Sequence, residues 1–137
     1  QPLLPCWYRE GQAALYGNVI GNRADYQNYL RVRAWNMRSF DPRMKFPNEN
    51  FGNVLKRLDE TYSNFTCGND GGYSIGSIAV EKMILLKGDA GIVEFMRNVK
   101  TQSSWKKAFA SVYGINADVW MDSISEQIRV EYSDLGM

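Results

Sequence analysis

The sequence predicts an all-α fold, an irregular bundle of about six or seven short helices. Three observations carry that prediction. Apolar residues recur three and four positions apart along most of the chain. Gly, Pro, Asn and Asp interrupt this period where helices would start and stop. No strand alternation or Asn-Gly hairpin competes with it. With 137 residues, no internal repeat and no low-complexity tract, the chain reads as one helical domain.

The first helix is expected over Pro5 to Tyr16 and organises the rest. Pro5 suits a first helical turn, where its missing N–H costs nothing. Trp7, Ala14 and Leu15 can share a buried stripe, and Glu10, three residues after Trp7, projects from its flank. Gly11 costs about 1 kcal/mol relative to Ala inside a helix, so its presence predicts a close approach by another backbone or an ion. Gly17-Asn18 and Gly21-Asn22 then supply stop signals.

A second helix is expected from about Arg23 to Phe40, with Tyr26, Tyr29, Leu30, Arg33, Met37 and Phe40 at helical spacing and Trp35 on a neighbouring face. Arg31, Arg33 and Arg38 read as solvated arginines with stems packed on aromatics, the alternative being a phosphate-binding row. Asp41-Pro42 ends this helix, and Asp41 to Asn50 reads as a connecting loop. A third helix should span Phe51 to Tyr62, with Val54, Leu55 and Leu58 inward. Ser63 to Gly72 is the least regular stretch. Its Cys67-Gly68-Asn69-Asp70-Gly71-Gly72 run lacks both the Walker Gly-Lys-Ser/Thr and the EF-hand ligand pattern, and so reads as a turn.

Tyr73 to Leu86 forms the fourth helix, with Ile75, Ile78, Ala79, Met83 and Leu86 on one stripe that Val80, Ile84 and Leu85 widen, so it should be central, and Gly76 invites close packing. Lys87-Gly88 ends it, and Asp89 is a candidate cap for a fifth helix presenting Ile92, Val93, Phe95, Met96 and Val99. Polar caps at Thr101 to Ser104 precede Trp105, Ala108, Phe109, Val112 and Tyr113, and Gly114 closes that helix. Asn116 or Asp118 starts the last one, with Trp120, Ile124, Ile128, Tyr132 and Leu135 inward.

Sixteen basic and fifteen acidic residues leave a net charge of +1, which argues against a nucleic-acid or anionic-membrane surface as the main business. No run approaches the roughly 18 apolar residues of a membrane span. The chain opens on Gln1 without a signal-peptide pattern, and Pro2-Leu3-Leu4-Pro5 just before a helix reads as a cut in mid-fold. Cys6 and Cys67 permit one disulfide, and spacing alone leaves its formation open. Asn64-Phe65-Thr66 matches the glycosylation sequon. An extracytoplasmic or secreted setting is the one expected.

The opening stretch Leu4-Pro5-Cys6-Trp7-Tyr8-Arg9-Glu10-Gly11-Gln12-Ala13-Ala14-Leu15-Tyr16 resembles the P-x-W-x-x-E-G-x-A segment of gluzincin zinc metallopeptidases, through Pro5, Trp7, Glu10, Gly11 and Ala13. A second likeness covers Tyr73, Gly76, Gly88, Trp105, Ala108, Phe109, Tyr113 and Gly114, which fall in the order of that family's helical tail. The resemblance implies that the chain is the C-terminal helical lobe of a larger metallopeptidase-like domain, following an HExxH helix. It further implies that Glu10 is the third zinc ligand and that Tyr73 is an oxyanion donor. Two His of HExxH would supply the other protein ligands. The departure is plain: this chain has no histidine and no HExxH. Zinc is therefore expected only if residues outside the chain complete the site, and the chain alone is expected to be inactive toward peptides. The same resemblance implies a peptide or protein substrate, or a protein partner that supplies the rest of the fold.

Alternatives from the residues themselves stay open. Glu10 can equally be an ordinary helix carboxylate paired with Arg9 or another arginine. Tyr73 can be a core tyrosine that starts a buried helix, and Asp70 a turn aspartate rather than an outer-shell carboxylate. At the level of function, the rival is a non-catalytic helical binding or assembly module. Nucleophilic triads fare worse, because they need a base that is normally His.

Overall fold

The computed structural model describes residues 4–40, 51–59 and 64–135, and among them are seven helices and no strand. They are α1 (Cys6–Gly21), α2 (Tyr26–Arg38), α3 (Phe51–Asp59), α4 (Asn64–Asn69), α5 (Ser74–Gln102), α6 (Trp105–Tyr113) and α7 (Ala117–Asp134). The expected loop Asp41 to Asn50, Tyr62 and the side chains of the Asn64 sequon lie outside what is described. No helix among the described residues is long and apolar enough to cross a membrane.

Caps follow the expected chemistry at several ends. The Asp25 carboxylate accepts from the Asn28 amide to start α2, and the Ser104 hydroxyl accepts from the Lys107 amide to start α6. Asn116 accepts from both Asp118 and Val119 at the head of α7. Gly114 closes α6 with a left-handed φ of 71°. At Gly88 the backbone takes φ 68° and ψ −170°, so α5 is two helical segments meeting at the expected glycine break. Asp89 does not cap the second segment as expected, because its carboxylate accepts from the Tyr16 hydroxyl of α1 at 2.7 Å.

Several expected boundaries move, and the second helix, expected from about Arg23 to Phe40, runs Tyr26–Arg38. The first helix runs through Gly17 to Gly21 because the Asn18 side chain, turned inward, donates to the Tyr29 carbonyl and ties the helix to α2. Part of the stretch read as irregular, residues 64–69, is the short helix α4.

Three of the four tryptophans meet in the core. The Trp7 ring lies 5.5 Å from Trp105 and 6.0 Å from Trp120, and Phe109 lies 4.7 Å from Trp120. These edge-on and tilted contacts add about 0.5–1.5 kcal/mol per pair beyond area burial. Residues 74–80 of α5 are all buried, as expected of a central helix, but Leu85, Leu86, Val93 and Met96, also expected inward, are exposed around the Gly88 break, where the covering helices do not reach. The fourth tryptophan, Trp35, is 67% exposed, and α2 buries Met37 alone. Its helical period is therefore real, but its apolar residues are largely uncovered.

Candidate functional site

The expected close approach at Gly11 is met by another backbone. A Cβ on Gly11 would lie 2.1 Å from the carbonyl carbon of Gly76, and a Cβ on Gly76 would lie 2.2 Å from the Trp7 carbonyl oxygen. The helices α1 and α5 thus cross at main-chain contact, which only two facing glycines allow. This crossing positions the site. Glu10 immediately precedes Gly11, and Tyr73 stands three residues before Gly76.

The turn that leads into Tyr73 is built equally tightly. The Gly72 amide donates to the Cys67 carbonyl at 2.7 Å, and the Ile75 amide donates to the Gly71 carbonyl at 2.8 Å. Gly71 has φ 95°, and a Cβ there would fall 2.5 Å from the Phe40 ring. The two cysteines are joined, and both are fully buried. Their bond fastens the turn to the first turn of α1, four residues before Glu10.

The fold brings the Glu10 carboxylate up to the Tyr73 hydroxyl, and its pull on the phenolic proton raises Tyr73 above its ordinary value. Glu10 is half-buried, whereas Tyr73 is 48% exposed with its ring over Gly68. Tyr73 is therefore no core tyrosine, although the helix it introduces is buried at once. Asp70 sits in the turn, as its turn reading has it.

The arrangement offers one carboxylate as an acceptor or ligand and one phenol as a donor, on an accessible flank. It offers no metal site by itself. Among the described residues no group of three His, Cys, Asp or Glu could hold a metal ion. A catalytic zinc takes three protein ligands, and among the described residues Glu10 has no such companions. Among the other carboxylates, Glu81 pairs with Arg33 and Glu94 with Lys87. Comparison with protein-family models, curated proteins and solved structures gives no match.

Two clusters of charged and phenolic groups escaped the sequence reading. Arg33 is not a solvated arginine: it reaches Glu81 of α5 at 2.8 Å and Glu131 of α7 at 3.2 Å, and Lys82 joins Glu131 at 3.3 Å. This half-buried network is what moors α2. The second cluster gathers Tyr8, Tyr16 and Tyr113. Burial pushes all three phenols upward, Tyr113 to about 12, and Tyr16 is raised further by its bond to Asp89. The buried hydroxyls of Tyr8 and Tyr113 find no hydrogen-bond partner among the described residues. No spacing rule links residues so far apart in the chain, so neither cluster had a signal to follow.

Proposed function

We propose that this chain is the C-terminal helical lobe of a gluzincin-like zinc metallopeptidase. Its catalytic zinc site would be completed by an HExxH helix from outside the present sequence. The supporting observation is the Glu10–Tyr73 pair. Two residues 63 positions apart, each singled out on its own motif, come together beside the α1–α5 crossing, close enough for the Glu10 carboxylate to raise the Tyr73 phenol. Glu10 is this lobe's share of the zinc ligands, and Tyr73 is a donor beside it, facing the peptide or protein substrate. The fully buried disulfide suits an oxidising compartment and supports an extracytoplasmic or secreted setting.

With one ligand of three, the 137-residue chain alone is expected to bind no zinc tightly and to leave peptides intact. Zinc analysis and a peptidase assay test this, and one tightly held zinc with turnover contradicts it. Reading the coding sequence upstream of Gln1 tests the class: an HExxH within about a hundred residues, on an amphipathic helix, supports it. The second reading, a non-catalytic helical binding or assembly module, is favoured by one observation, the uncovered face of α2 around Trp35. Absence of any upstream HExxH would select it.

A further inference from the structure

The uncovered face of α2 has a definite chemical pattern. Arg31, Trp35 and Arg38 stand four and three residues apart and so form one stripe, cation–indole–cation. Trp35 is 67% exposed and both arginines are exposed. Arg31 reaches Asn28 on its own helix, and Arg38 donates to the Leu135 carbonyl at 3.3 Å. Arg33, one residue off the stripe, points the other way into its ion network. The phosphate-binding row of three arginines therefore does not exist. Two of the arginines flank a tryptophan instead.

The complement of this stripe lies on the same molecule. Between α5 and α7 runs an open groove of about 320 Å³, lined by Lys82, Glu126, Gln127, Val130, Glu131 and Asp134. Along α7 the residues Glu126, Val130 and Asp134 are four apart and share a face, giving anion–aliphatic–anion, with Glu126 also bonded by Arg129 of its own helix. Val130 is 42% exposed. The groove and the stripe are neighbours, because Arg33 of α2 bonds Glu131 in the groove wall and Arg38 bonds the end of α7.

From this juxtaposition we infer that the chain forms a two-fold homodimer in which Trp35 of each copy enters the α5–α7 groove of the other over Val130, with Arg31 and Arg38 against Glu126 and Asp134. A two-fold interface must be self-complementary, with the same patch on both copies. A stripe with a cation at each end, beside a groove face with a carboxylate at each end, meets that condition. The apolar residue sits at the centre and the charges at either side, the usual division between anchor and rim. Net charge near zero removes the general repulsion that would oppose the association.

The test is sedimentation velocity on the 137-residue chain with two charge-reversed variants, each checked for helicity by circular dichroism. One carries Arg31→Glu and Arg38→Glu, and the other carries Glu126→Lys and Asp134→Lys. The wild type is expected to dimerise, and each variant alone to associate about 30-fold or more weakly, because like charges then face each other. An equimolar mixture of the two is expected to recover a dimer, because both of its stripe–groove contacts pair opposite charges again. Trp35→Ala, a change at an exposed position that spares the fold, is expected to weaken the wild-type dimer by a similar factor. A wild-type chain that stays monomeric overturns the inference. So does a wild-type dimer that survives Trp35→Ala, or a mixture of folded variants that remains monomeric.

Discussion

The α1–α5 crossing and helix α2 were read from the same kind of evidence, apolar residues at helical spacing, and they turn out as opposites. At the crossing, the apolar period comes with Gly11 and Gly76, the two backbones touch, and the disulfide and the tryptophan cluster lock the contact. In α2 the period comes without glycine, one side chain is buried, and a network of charges moors the helix from one side. Apolar spacing thus predicts that a helix forms. It does not predict how much of that helix is covered. What distinguishes the buried pair is the expensive glycine inside each helix.

The largest expected effect is at that contact. Gly11→Ala places a Cβ against main-chain atoms that cannot swing aside, and should cost about 4 kcal/mol or more in urea unfolding. Gly17→Ala, in the same helix with nothing within 4 Å, should instead stabilise by about 1 kcal/mol. Equal effects at the two glycines would dissolve the contrast. Replacing both Cys6 and Cys67 by Ala opens a loop of 61 residues and should cost about 4 kcal/mol. It should also free the turn that presents Tyr73.

Arg33→Ala should behave differently. It leaves Glu81 and Glu131 without their α2 partner, at about 1–2 kcal/mol. The loss should be local, read as faster amide exchange over residues 26–38 with the core amides still protected. Loss of core protection in step with α2 would show that the two regions are one cooperative unit.

The smallest effect is on the core side and appears with pH. Tyr8, Tyr16 and Tyr113 have folded-state values above the ordinary 10, so the unfolded chain ionises first as pH rises. Their stabilising contribution is whole below pH 10 and drains away as pH climbs, that of Tyr113 through about 12 and those of Tyr8 and Tyr16 later still. Tyr113→Phe should leave neutral-pH stability within about 1 kcal/mol, because its buried hydroxyl has no described partner to lose, and should flatten the alkaline fall. An unchanged alkaline profile would place the sensitivity elsewhere.

Much of the fold was legible in local chemistry. The Gly88 break, the caps at Ser104 and Asn116, the Gly114 stop and the inward residues of α6 and α7 all follow from rules that act over a few residues. Of the candidate site, the legible part was which residues to watch: Glu10 beside a glycine that demands close approach, and Tyr73 at the head of a buried helix. That Gly11 meets Gly76 was not legible, because each glycine asks for a neighbour without naming it. The mooring of Arg33 was hidden for the same reason, and for the two cysteines the partner was plain but the bond's formation was not. Asn18 shows the converse: its local preference to end a helix was overruled by a tertiary bond to Tyr29.

The central claim, that Glu10 is one share of a zinc site, is tested most directly by zinc stoichiometry. The protein to measure is the one that carries this chain together with its upstream coding sequence, as wild type, Glu10→Gln and Tyr73→Phe. The account expects one tightly held zinc in the wild type and its loss in Glu10→Gln with the helical fold intact. Tyr73→Phe should keep the metal while peptidase turnover falls by about 100- to 1,000-fold. Zinc retained at full stoichiometry in Glu10→Gln, or no zinc in the wild type, would contradict it.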